Sequence, residues 1–352
     1  MSKLSTARRH WLAGAAALLA TAFAGTAAWA QAAQPLLDLR LAVSDENLNP
    51  VTDSVLKLAD TLGFYKKHGL NLTLVTLQGT PQAVAALNAG QVDIADISID
   101  AALRLRAANG IAIRGIVSTT LGPPYLIAAK GDIKDVKGLA GRSFAIADNG
   151  SLDHNLTRMV LASKGVNADS PNFVTIGVPA VRVQALVNGR VDATTVSYGN
   201  YLPVASTPGL TVIVPPDEFF AGAPIQSKFI GALESTIAKK RDAIQRYVEA
   251  MIDISRSFDA EPDIWVAAMN KGRPDLSVDV LKATTKFLAG RWCVNGCLDA
   301  KYVQKTLDFV YSGKDFEGVP KIPATALLDT SFVPAAIKAL GAYKGGGIDA
   351  IN

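Results

Sequence analysis

Ala86-Leu87-Asn88-Ala89-Gly90-Gln91-Val92-Asp93, followed by Ser98, returns at a constant offset of 99 as Ala185-Leu186-Val187-Asn188-Gly189-Arg190-Val191-Asp192, followed by Ser197. Six positions are identical in that register. A glycine that can turn left-handed ends a helix, and the Val-Asp that follows opens a buried strand. Lys67-His68-Gly69-Leu70 is echoed in the same way by Ser163-Lys164-Gly165-Val166. Around these phrases, short apolar runs alternate with amphipathic stretches. Strands are expected at 39–43, 71–77 and 92–97 with helices at 54–68 and 81–89. The same order follows with strands at 143–147, 172–176 and 191–196 and helices at 151–164 and 180–188. The chain therefore reads as an α/β protein made of two duplicated βαβαβ lobes.

Two breaker clusters, Gly122-Pro123-Pro124 and Gly222-Ala223-Pro224, bracket the second unit. The chain is expected to cross between lobes at both, so that residues 31–122 and 229–352 form lobe one and residues 123–228 form lobe two. Two crossings make a hinge. Helices are expected over 232–258, 263–270 and 277–289, packed back on lobe one. The tail around Gly345-Gly346-Gly347 is expected to be unstructured.

With 352 residues, 49% hydrophobic and 19% charged, the chain can bury a sizeable core and is no disordered polymer. Its net charge of +4 is mostly a property of the leader, because Lys3, Arg8 and Arg9 precede Ala30 and no acid does. No basic stripe remains for a nucleic acid. Residues 1–10 are basic, residues 11–28 are apolar, and Ala28-Trp29-Ala30 fits the small-x-small pattern of a signal peptidase. Residues 1–30 are thus expected to be a signal peptide, and the mature chain a monomer in the periplasm beginning at Gln31. An uncleaved anchor is the alternative. Arg8-Arg9-His10-Trp11-Leu12 resembles a twin-arginine signal, although arginine pairs occur in ordinary signals too.

Cys293 and Cys297 enclose Val-Asn-Gly, and in an oxidising compartment they are expected to form a small disulfide loop. Only His68 and His154 remain as histidines beyond the leader, neither near the cysteines, so no metal is expected. No cofactor motif is found either. Gly141-Arg142-Ser143-Phe144-Ala145 inverts the strand-then-helix context of a nucleophile elbow, and Ser312-Gly313-Lys314 lacks the glycine run of a phosphate loop.

Polar residues gather instead where strands would lead into helices, the place at which open α/β sheets hold ligands. In lobe one these are Ser44-Asp45-Glu46-Asn47, Gly79-Thr80-Pro81 and Asp96-Ile97-Ser98. In lobe two they are Asp148-Asn149-Gly150-Ser151, Gly177-Val178-Pro179 and Ser197-Tyr198-Gly199-Asn200. Helix capping explains any single one equally well.

Gly63-Phe64-Tyr65-Lys66-Lys67-His68-Gly69-Leu70, Gly90-Gln91-Val92-Asp93-Ile94-Ala95 and Gly150-Ser151-Leu152-Asp153-His154 resemble the nitrate, sulfonate and taurine class of ABC-transporter periplasmic substrate-binding proteins, with the thiamine-precursor binders as near relatives. The resemblance spans roughly 39–210. It implies a two-lobed periplasmic-binding-protein (type II) fold that shuts on a small molecule and presents it to an inner-membrane permease. Residues carried over are Ser44, Asp45, Thr80, Ser98, Gly150, Ser151 and His154. Where that class often shows Trp-Asp-Pro, this chain has Ser197-Tyr198-Gly199-Asn200.

The expected function is a periplasmic solute-binding component of an ABC importer. Two alternatives stay open: a same-fold enzyme of the thiamine-pyrimidine synthase type, and a periplasmic sensor of a small molecule. Helix N-termini aimed at the cleft, with Arg182 one turn into its helix, favour an organic anion. Asp45, Glu46, Asp96, Asp100, Asp148 and Asp153 could instead meet an amine, and Tyr125 and Tyr198 could stack on a ring. The ligand is read as a small organic anion or zwitterion, with Ser197, Tyr198 and Asn200 as further contacts.

Overall fold

The computed structural model describes residues 35–43, 47–77, 79–122 and 124–349. The expected signal peptide, and Ser44 and Asp45 of the expected site, lie outside the described residues. No helix among the described residues is long and apolar enough to cross a membrane.

Among the described residues, ten strands form two five-stranded sheets. The first holds β1 (Leu37–Val43), β2 (Leu70–Thr76), β3 (Ile94–Ser98) and β4 (Ile113–Val117). The second holds β5 (Tyr125–Lys130), β6 (Ser143–Ile146), β7 (Asn172–Thr175), β8 (Ala193–Ser197) and β9 (Leu210–Val214). The chain then returns to the first sheet as β10 (Lys228–Leu233). The orders are β2-β1-β3-β10-β4 and β7-β6-β8-β5-β9. Each sheet thus has three parallel strands followed by an antiparallel one that enters from a crossing, β10 against β3 and β5 against β8.

The repeated Val-Asp has a structural cause. Asp93 accepts the Arg40 backbone N–H at 2.9 Å and donates its own to the Arg40 carbonyl at 2.9 Å. Asp192 does the same with Ser143, at 3.0 and 2.9 Å. Each aspartate therefore ties its strand to the central parallel neighbour. Each also meets a lysine, Lys240 at 2.9 Å and Lys130 at 2.8 Å. For Asp93, burial opposes the charged form, but bonds from Arg40 and Lys240 outweigh it and lower the pKa. For Asp192 the Lys130 bond leads and brings the carboxyl down to about 2.

Several expected elements have different limits. The helix expected over 54–68 is broken into Ser54–Thr61 and Phe64–Lys67 because Gly63 takes φ 77°, a left-handed conformation that stops the first segment. The long helix runs Glu234–Ala260, not from 232, because the residues before it are β10, buried between β3 and β4. It bends at Lys240, the residue whose ammonium reaches Asp93. The glycine tail, expected to lack structure, packs down: Ile348 N–H donates to the Trp292 carbonyl at 3.0 Å, and Gly347 lies against Val294 and the Trp292 carbonyl so closely that a Cβ would not fit.

The helix Glu234–Ala260 crosses the first sheet with Tyr247 stacked on Tyr65, ring centroids 5.9 Å apart. Trp265 is fully buried beside it and donates its indole N–H to Ser54 Oγ at 3.1 Å. Phe144, Leu156, Val160 and Phe219 form the corresponding core on the second sheet. Each such side chain contributes about 1.5–3 kcal/mol on burial, which keeps both sheets rigid around whatever lies between them.

Candidate ligand site

Ser98 and Ser197, the residues that close the repeat, end β3 and β8. Opposite them in register stand Lys228 and Tyr125, the first residues of the two antiparallel strands. The crossings thus bring one lysine and one tyrosine to the carboxyl ends of the parallel strands, the place where open α/β sheets take ligands.

Lys228 Nζ lies 2.7 Å from Asp96 Oδ2, and both side chains are largely shielded from water. Burial pulls the Lys228 pKa down, but Asp96, Tyr125 and Asp53 together outweigh it, and the ammonium titrates above its ordinary value. Burial also raises the Tyr125 phenol, so it remains an O–H donor at neutral pH. Asp53 accepts the Asn49 backbone N–H at 2.6 Å and pairs with Lys57 at 2.8 Å.

These groups surround a cavity of about 80 Å³. Asp53, Asp96, Lys228, Thr119 and Thr120 line it from one side, and Tyr125, Ser197 and Asn200 from the other. Hydroxyls that can donate or accept alternate there with one cation and two carboxylates. Such a lining can hold a ligand that offers both a hydrogen-bond acceptor and a charged donor.

Direct bonds close the space between the sheets. Asn49 Nδ2 donates to Ser197 Oγ at 3.1 Å, Asn155 Nδ2 to Asp100 at 3.1 Å, and Arg158 pairs with Asp315 at 2.7 Å. Tyr198 stacks on Phe287 with centroids 4.8 Å apart.

The residues singled out by sequence divide between places. Asp96, Tyr125, Ser197 and Asn200 line the central cavity. Thr80, Gly150 and His154 line a separate hollow of about 420 Å³ beside Arg104 and Arg158. There the Gly150 N–H donates to His154 Nδ1 at 3.0 Å, and the imidazole packs edge-on against Phe173 at 4.5 Å. Burial first, then Arg158, lowers the His154 pKa, so the ring is a neutral acceptor for its own helix start. Ser98 and Ser151 line neither space. Ser98 N–H donates to Thr80 Oγ1 at 3.2 Å, and Ser151 Oγ sits 2.6 Å from the Asp148 carbonyl.

Arg182 has partners of its own. It is 3% exposed and lines neither cavity. Its guanidinium donates to the carbonyls of Gly177 and Thr195, the latter at 3.3 Å, and stands 3.6 Å from Asp153. Those partners take the charge that was expected to meet an anion.

Sequence reasoning missed Lys228, Asp53, Thr119 and Thr120. A signal existed for Lys228, since it is the one charged residue at the head of the apolar run Phe229-Ile230-Gly231-Ala232-Leu233 that follows the second crossing.

The family model described as NMT1/THI5 like matches residues 54–258, more than half of the chain. The chain belongs to the NMT1/THI5-like family. A protein of Brucella abortus (strain 2308), named only as a binding protein, is 27% identical over 240 residues, 67% of each chain. A solved structure from Bordetella bronchiseptica RB50 superposes with a TM-score of 0.74 at 19% identity, covering 86% of this chain and 98% of its own. The periplasmic aliphatic sulphonate binding protein SsuA from Escherichia coli superposes with a TM-score of 0.62 at 18% identity, over 84% of this chain and 98% of its own. The α/β fold is that of periplasmic binding proteins, as the family resemblance implied.

Proposed function

We propose that this protein is the periplasmic substrate-binding component of an ABC importer and that it captures a small zwitterion between two closing lobes. Lobe one would comprise residues 31–122 and 229–352, lobe two residues 123–228. The leader of residues 1–30 and the fold shared with a sulfonate-binding protein support export and delivery to an inner-membrane permease.

One observation carries the ligand class: the cavity between the sheets presents Lys228 2.7 Å from Asp96, with Asp53 near both. An anionic group of the ligand would lie against the Lys228 ammonium and the threonine and tyrosine hydroxyls. Its amine would lie against Asp96 or Asp53. A simple anion would have to approach the Lys228 ammonium beside two carboxylates, Asp96 and Asp53, whose charge repels it in a shielded site. With Arg182 occupied elsewhere, the zwitterion is the better match of the two ligands considered from the sequence.

A thermal-shift panel of aminosulfonates, amino acids, simple sulfonates, simple carboxylates, nitrate and pyrimidines tests the reading. Zwitterions should stabilise the protein, by about 2.7 kcal/mol at a hundredfold excess over the dissociation constant, and Asp96→Asn should abolish that gain. Stabilisation by simple anions alone, unaffected by Asp96→Asn, would sink it. Turnover of a bound pyrimidine would favour the same-fold enzyme.

A further inference from the structure

A second hollow adjoins the polar cavity. Thr52, Thr119, Thr120 and Pro124 line both, and the remaining walls of this hollow of about 80 Å³ are mainly apolar. Val51 and Val55 form one wall, and Phe287 and Trp292 another. Phe220 reaches in from the second-sheet side, 38% exposed and lying so close to Gly122 that a Cβ there would meet its ring at 2.7 Å. At the rim Arg291 pairs with Asp217 at 3.1 Å and covers the Phe287 ring at 4.7 Å.

Rings left partly bare in a hollow that shares a wall with a charged cavity need a filling group to withdraw them from water. Two features identify that group. The shared threonines set the hollow directly beside the charged cavity, so one molecule can occupy both. Its walls are aliphatic and aromatic carbon, so the occupying part is apolar and bulky. We infer that this hollow is the subsite for a ring or branched alkyl substituent on the ligand whose charged groups meet Lys228 and Asp96. The inference rests on the binding reading above and narrows it to zwitterions with a large apolar substituent. Because Phe220 and Phe287 come from elements on opposite sides of the crossings, filling the subsite also favours closure.

Isothermal titration of the purified protein with taurine and with N-cyclohexyltaurine tests this, because the two share a charged end and differ in the ring. N-cyclohexyltaurine should bind roughly tenfold or more tightly than taurine, as expected from withdrawing a ring from water. Phe220→Ala, which removes a wall, and Val51→Phe, which fills the space, should each bring that ratio towards one. Taurine affinity should stay within about twofold, since neither residue lines the charged cavity. A ratio unchanged in both variants while taurine still binds would overturn the subsite and leave the binding reading standing. Failure of both compounds to bind would overturn the two together.

Discussion

Lys228 and Tyr125 hold corresponding places in the two sheets. Each begins the antiparallel strand that enters from a crossing, and each stands in register with a serine of the repeat, Ser98 or Ser197. The duplicated scaffold thus offers the same geometric position twice and fills it with different chemistry, a cation in one sheet and a neutral hydroxyl donor in the other. Both are donors, so the anionic group of the proposed ligand can be met from both sheets, by an ammonium from one and a phenol from the other.

Lys228→Met should leave Asp96 buried without its cation and lower stability by about 3 kcal/mol. The folded pKa of Lys228 lies above its ordinary 10.5. The stabilisation is therefore fully present below the unfolded value and is lost as pH rises through the higher folded value. In urea unfolding, the difference between wild type and variant should be constant from neutrality to about pH 10 and shrink only above it. A difference that fades near pH 8 would contradict the pairing.

Gly199 has no room for a side chain. A Cβ there would collide with Asn49 Oδ1, and that oxygen cannot swing away because it accepts the N–H groups of Val51 and Thr52 at 3.0 and 3.1 Å. Gly199→Ala should therefore push the sheets apart without disturbing either core, and weaken ligand binding roughly tenfold or more. Small-angle scattering should report a larger radius of gyration at an unchanged melting temperature. A compact variant with undiminished affinity would count against closure through this contact.

Asp192 is held at about 2 by Lys130 and Ser143. A depressed carboxylate contributes stability above its unfolded pKa and loses it as pH falls through the folded value. Asp192→Asn should thus cost about 1 kcal/mol at neutral pH, after allowance for solvent screening, with the deficit narrowing from about pH 5 to pH 2. Acid titration of both proteins by circular dichroism checks this. A deficit that widened in acid would show that the carboxylate is not the stabilising form.

Cys293 and Cys297 are joined, Cα to Cα 5.2 Å, in a loop clamped by Asp349, which accepts the N–H groups of Asn295 and Cys297. Intact mass of the secreted product should correspond to a chain beginning at Gln31, with no alkylation before reductant is added. Reduction should cost about 2 kcal/mol for so short a loop. Rapid labelling of both cysteines in the untreated protein, or retention of residues 1–30, would contradict these expectations.

The α/β class and the duplication were legible because they rest on local pattern. Gly90 and Gly189, and the Val-Asp after each, carry their structural instruction within a few residues, so β1, β2 and β3 in one sheet and β6, β7 and β8 in the other could be placed from sequence. Strands β4, β5, β9 and β10 could not. Their pairing depends on partners far along the chain, as β10 depends on β3 more than a hundred residues before it. The site divides along the same line. Asp96, Ser197 and Asn200 sit at the ends or starts of locally readable elements and do line the cavity. Lys228 reaches it only because the returning strand inserts next to β3, and Arg182, well placed in one dimension, turns away from it to bond the carbonyls of Gly177 and Thr195. Sequence by itself determined the repeated units, since helix ends and strand starts are governed by short-range hydrogen bonding and backbone freedom. Tertiary structure alone decided which charges face the cavity, because a buried charge goes wherever folding brings it a partner.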